Sequence, residues 1–177
     1  LPKTIFSYGI AVASIASLTG PAAAEPMQFT VRNNGGSRIQ FVSDAPLETI
    51  TGVSSRVWGV TNGDPADLST VRGQIAVDVA TIRTGIDTRD EHMRGDGWLN
   101  AERFPRSTFE LRSVEGATRL RPNQPANVRL KGRFTLHGVT RDVTANATIR
   151  WLPLTDELAQ TPGIDGDVLR IQASFNV

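Results

Sequence analysis

Five ionisable residues crowd one stretch: Asp87, Asp90, Glu91, His92 and Asp96. Carboxylates beside an imidazole are the raw material of general acid–base catalysis or of a divalent metal site. The spacing works against both, because no second histidine follows His92 at i+4 and the other, His137, lies far along the chain. Hydrogen bonds from Asp90, His92 and Arg94 that pin this segment to the rest of the protein are the structural alternative. Arg83, Arg89, Arg94 and Arg141 fall in the same segment or at the ends of predicted strands, where a guanidinium can meet a phosphate or carboxylate head group. The chain has no cysteine, which removes thiol nucleophiles, thiolate metal sites and disulfides together. No catalytic residue, metal or cofactor is expected.

What the chain offers instead is apolar alternation. In VRLKGRFTLHGVTRDVTANATIRW, residues Val128, Leu130, Gly132, Phe134 and Leu136 share one face of a period-two strand, against Arg129, Lys131, Arg133 and Thr135. After His137-Gly138 the second limb sets Val143, Ala145, Ala147 and Ile149 against Thr144, Asn146, Thr148 and Arg150. This predicts an antiparallel hairpin with one buried face, part of a larger sheet because a lone hairpin is marginal in water. Arg129, Lys131 and Arg133 read as an outward stripe facing water. His137-Gly138-Val139-Thr140 reads as its turn, with the glycine supplying backbone freedom and His137 and Thr140 satisfying loose carbonyls.

The same patterning extends in both directions. Gln28 to Arg32 and Ser37 to Ser43 read as two strands of a hairpin around Asn33-Asn34-Gly35-Gly36. Leu47 to Val60 carries Gly52 and Gly59 where a bend or bulge is expected. Thr61 to Ser69 reads as a polar loop, and Val71 to Ile82 as a strand with Ile75, Val77 and Val79 inward. The period then changes over Thr84 to Phe104, predicting one or two short helices capped by Asp87, broken at Gly95 and Gly97 and ended by Pro105. Met93, Trp98, Leu99 and Phe104 make this insert's apolar side, either a lid or an anchor. Ser107 to Val114 turns Phe109 and Leu111 inward, and Val168 to Val177 is a last apolar run. Eight short strands and one helical insert fit an all-β, eight-stranded antiparallel barrel.

The opening LPKTIFSYGIAVASIASLTGPAAAEP has the layout of a secretory leader, with Lys3, an apolar run from Ile5 to Leu18 and Ala22-Ala23-Ala24 as a small-residue cleavage site. The division expected is therefore residues 1–24 as signal peptide and 25–177 as one barrel domain, periplasmic or secreted. Serines break the apolar run, which falls short of the roughly 20 residues of a membrane-spanning helix. Of 19 Lys and Arg and 18 Asp and Glu the leader takes only Lys3. The remainder has no net charge, which argues against nucleic acid as partner.

Two stretches resemble the YceI-like family of exported, lipocalin-like proteins. Asp90 to Phe109, DEHMRGDGWLNAERFPRSTF, is similar to that family's Asp-x-His-hydrophobic-Arg segment, which runs through an aromatic-Pro step into a strand ending Thr-Phe. Phe134 to Val143, FTLHGVTRDV, is similar to its His-Gly-Val-Thr signature between apolar strands. Weaker similarity spans Phe29 to Val177. The resemblance implies a lipocalin-like barrel around an elongated apolar cavity that binds a long-chain isoprenoid or similar lipid, without catalysis. The family's last strand usually runs beyond Phe175-Asn176-Val177, so only partial closure between first and last strands is expected.

The ligand-lining residues expected on this basis are Ile75, Val77, Val79, Trp98, Phe109, Leu111, Leu130, Phe134, Leu136 and Val143. Gly132, Ala145 and Ala147 leave room beside Phe134, and a chain buried there gains about 0.8 kcal/mol per CH₂. A lipid is the expected partner, with no integral membrane span and a homodimer as a possible assembly. Apolar alternation alone also fits a filled barrel that binds a protein partner by its surface. An enzyme built on the acidic cluster around His92 ranks last.

Overall fold

The computed structural model describes residues 4–15, 26–31, 36–44 and 46–177, so the Asn33-Asn34-Gly35 turn and Ala22 to Ala24 lie outside the described residues. The predicted hairpin is present as β8 (Pro125–Leu136) and β9 (Val139–Leu152), paired without a break from Pro125–Arg150 to Leu136–Val139. Val128, Leu130, Phe134, Ala145, Ala147 and Ile149 are buried, and the intervening residues of each limb are largely exposed. The outward stripe is more than solvated. Arg133 meets Glu110 at 2.7 Å and Lys131 meets Glu115 at 2.6 Å across the neighbouring strand. Those hydrogen bonds hold both carboxyls below the usual glutamate range.

β5 (Val57–Asp64), β6 (Asp67–Asp78), β7 (Arg106–Glu115) and β10 (Val168–Asn176) extend this hairpin, in the order β5-β6-β7-β8-β9-β10, every contact antiparallel. The stretch expected as a loop, Thr61 to Ser69, is instead strand on both sides of a tight turn. Its polar residues serve the turn: Asp64 accepts from the Ala66 amide at 2.7 Å and Asp67 from the Ser69 amide at 3.0 Å.

The expected hairpin between Gln28–Arg32 and Ser37–Ser43 is not formed. β2 (Met27–Val31) and β3 (Arg38–Asp44) lie end to end along the same side of β1 (Thr4–Ile15), β3 against Thr4–Gly9 and β2 against Val12–Ile15. They are the two halves of one lane. β4 (Thr49–Ser54) and β5 are likewise two halves of the next lane, against β3 and β2. Gly52, flagged as a bend, has its face filled by the ring of Phe41. β1 also pairs with β10 from Ile5–Asn176 to Ala13–Val168. The ten strands thus make eight lanes in sequence order, joined into a ring by β1, a stave that falls within the expected leader. The last strand meets β1 and not the strand at Gln28, and closure runs through that pairing.

The insert covers one end. β6 stops at Asp78, short of the expected Ile82, because Asp78 accepts from the Ala80 amide at 3.0 Å and its carbonyl accepts from the Thr81 hydroxyl at 2.7 Å, bending the chain into a 3-10 turn. Val79 therefore leaves the strand and packs with Ile82, Met93 and Ala101. α1 (Asp87–Arg94) starts from Ile86, not Asp87, as its cap residue, and it ends at Gly95. Asp87 and Asp90 sit in the first turn, where a helix favours negative charge. At the other end Leu120 is buried, its amide donating to the Pro65 carbonyl at 2.7 Å, so the loop after β7 closes the base. After β9 the chain makes a short helix, α2 (Asp156–Ala159), and Asp167 ties that excursion down by accepting from the Trp151 indole at 2.8 Å and the Leu154 amide at 2.9 Å.

Candidate functional site: an apolar barrel interior under a pinned insert

The inward residues enclose a cavity of about 70 Å³ near the base. Ile75, Phe109, Leu111 and Leu130, all anticipated, line it on β6, β7 and β8. Its other walls were missed by the sequence reading: Phe29, Leu68, Leu120, Leu169 and Phe175 among them. Leu169 and Phe175 alternate along β10 as inward residues do, a signal that was present. Leu120 comes from an irregular loop and carries no periodicity. No charged side chain lines this cavity among the described residues.

A second cavity of about 130 Å³ lies beneath the insert. Val77, Trp98 and Leu136, again anticipated, meet there with Ile39, Phe41, Ile82, Met93 and Leu99, and the hydroxyls of Ser43 and Ser107. Ser107 donates to the Thr135 carbonyl at 2.9 Å, so its polarity is spent on the wall. Phe41, Ser43, Met93 and Trp98 also line an open cleft of about 510 Å³ between α1 and β3–β4, with Glu48, Arg89 and His92 at its edge. Trp98 is 62% exposed and Ile86 52%, so the mouth has an apolar rim. Three expected lining residues do not border either cavity: Val79 packs inside the insert, Phe134 is buried between the cavities, and Val143 is half-buried against the core.

Asp90, 2% exposed, is the insert's pin. Its Oδ1 accepts from the Thr84 amide at 2.8 Å and the Thr84 hydroxyl at 2.6 Å. Burial is the largest single influence on this carboxyl and opposes its charge, but the Thr84 donors and the Arg94 and Arg83 charges together outweigh it, holding the group below the usual aspartate range. Arg89 donates to the same Thr84 hydroxyl at 3.0 Å and to Glu48 at 2.8 Å, tying α1 to the β3–β4 turn. Among the described residues no three His, Asp or Glu side chains converge as a metal site. His92 is exposed at the cleft and Asp90 faces away into the Thr84 contacts.

At the other signature, His137 and Gly138 both take positive φ, 51° and 72°, as a two-residue hairpin turn of the kind that matches strand twist requires. The Thr140 hydroxyl pairs with that of Thr135 at 2.8 Å, and His137 lies against the ring of Phe104. These residues build the turn and hold the insert.

An up-and-down antiparallel ring of eight lanes, apolar inside and capped by a short helical insert, is a lipocalin-like β-barrel. Residues 29–176 match the YceI-like domain family, and the chain belongs to that family. A UPF0312 protein of Vibrio cholerae is 25% identical over 149 residues, 83% of this chain and 74% of the relative. One of Shewanella baltica is 26% identical over 149 residues, 83% of this chain and 73% of the relative. Among solved structures, the YCEI protein of Campylobacter jejuni has a TM-score of 0.48 at 17% identity, covering 76% of this chain and 88% of its own. A polyisoprenoid binding domain from Saccharophagus degradans, implicated in plant cell wall breakdown, has a TM-score of 0.43 at 11% identity, covering 98% of this chain and 96% of its own. No helix among the described residues is long and apolar enough to cross a membrane.

Proposed function

We propose that this protein binds a long-chain apolar molecule, a polyisoprenoid or similar lipid, inside its barrel, and sequesters or carries it outside the cytoplasm without chemical change. The observation that carries the reading is the pair of apolar cavities inside the barrel, the upper one sharing Phe41, Ser43, Met93 and Trp98 as walls with an open cleft at the insert. Each CH₂ taken from water into such walls contributes about 0.8 kcal/mol, so a chain of isoprene units needs no charged anchor to be held. Arg89 and His92 at the cleft edge stand where a polar head group would emerge. Export rests on the leader-like layout of residues 1–24.

Organic extraction of freshly purified protein followed by mass spectrometry tests the reading, with a polyprenol as the first lipid added back. A stoichiometric prenyl or acyl species supports it. Clean extracts with no uptake of added lipid favour the other reading, a filled barrel that binds a protein by its surface. The small lower cavity and the three phenylalanine rings beside it are what favour that alternative.

A further inference from the structure

Among the described residues the two cavities share no wall. On β6, Ile75 lines the lower and Val77 the upper; on β7, Phe109 lines the lower and Ser107 the upper; on β8, Leu130 lines the lower and Leu136 the upper. Phe134 stands between them on β8, 4% exposed, and borders neither. Its ring meets Phe175 of β10 edge-on at 5.1 Å, and Phe175 meets Phe109 at 5.9 Å, while Phe109 and Phe134 are register partners on adjacent strands. Gly132 completes the arrangement, because the ring of Phe109 fills the space where a side chain at 132 would stand. Three rings from three strands therefore pack against one another, Phe109 and Phe175 as walls of the lower cavity and Phe134 bordering neither.

We infer that Phe134, with Phe109 and Phe175, is a septum that sets how long a chain the barrel accepts. This rests on the reading that the interior takes an apolar chain. A chain entering beneath the insert occupies the upper cavity and stops at Phe134. To go further its tail must push rings aside that are packed against one another, and rings so packed move at a cost. The walls beyond the septum are apolar, so the lower cavity is usable space once the rings yield.

The test is the affinity of the full chain for geraniol, farnesol and geranylgeraniol, which share one head group and differ in tail length. Phe134→Ala is expected to raise the affinity for geranylgeraniol relative to geraniol by about tenfold or more, since additional CH₂ groups become buried. Ala145→Leu, which fills the lower cavity from β9, is expected to move the same ratio about tenfold the other way. Thermal melting checks that each variant folds; where Phe134→Ala does not, Phe134→Leu and Phe175→Leu take its place. Ratios within about twofold of the unaltered protein in folded variants overturn the septum while leaving lipid binding intact. A folded, unaltered protein that binds none of the three alcohols overturns both.

Discussion

The ring of Phe104 lies 4.7 Å from the ring of His137, tilted by 33°, and the same ring covers Gly138, where an added Cβ would come within 2.7 Å of it. Phe104 ends the insert and His137-Gly138 is the β8–β9 turn. The two stretches that mark the family in sequence therefore meet in space, one as a plug and the other as the surface that receives it.

Phe104→Ala is expected to destabilise the protein by about 1–3 kcal/mol, less than a fully buried phenylalanine because the ring is half-exposed. Gly138→Ala is expected to cost about 1–2 kcal/mol through its positive φ and the collision with Phe104. Because the second cost depends partly on the first ring, the double variant should lose less than the two combined, a coupling that urea unfolding of all four proteins measures.

Asp90 gives the insert a pH dependence whose sign is fixed. Its carboxyl titrates lower in the folded protein than in the unfolded chain, so it contributes stability above the unfolded value of about 4, and that contribution is lost as pH falls through the folded value. Unfolding followed from pH 7 downward should show the loss, and Asp90→Asn should flatten it. Asp90→Ala at neutral pH leaves the Thr84 donors without their partner and should cost about 1–3 kcal/mol.

How much of this was legible depends on whether a residue's role is local. The β8–β9 hairpin was readable because every second residue is apolar and both limbs share one phase. Asn33 to Gly36 has the composition of a hairpin turn, yet the strands on either side lie along β1 in one line, a non-local pairing that composition cannot express. Thr61 to Ser69 misled because its polar residues make turn hydrogen bonds at the tip of two strands. Val79 kept the period of β6 but left the strand where Asp78 capped a 3-10 turn. In the interior, anticipated residues did reach both cavities. That two cavities exist, parted at Phe134, depends on how rings from β7, β8 and β10 pack, which no single strand's pattern contains.

Arg89 separates pinning from ligand contact. Its link to Glu48 is solvent-exposed on the carboxylate side, and such pairs contribute little, so Arg89→Gln should change stability by less than about 1 kcal/mol. If a head group emerges at the cleft, the same substitution should weaken binding of farnesyl phosphate while sparing farnesol. Equal affinity for both lipids before and after would remove Arg89 from any head-group role and leave it as a surface tie between α1 and the β3–β4 turn.

The leader-like segment and the closing stave are the same residues, and the two roles make opposite demands. If residues 1–24 are removed on export, the ring loses the strand between β10 and β2–β3, and the amides of Val168–Asn176 that pair with Ile5–Ala13 are left to solvent. Seven lanes, two cavities' worth of apolar packing and the pinned insert remain to hold the domain. A chain beginning at Glu25 is therefore expected to fold, with hydrogen exchange faster along β10 and unchanged in β8 and β9, whose pairing does not involve β1. Such an opened edge also invites a second copy, so sedimentation should accompany the exchange measurement. A chain from Glu25 that fails to fold, while the full chain folds, would make Thr4–Ile15 a structural strand and remove the case for cleavage after Ala24.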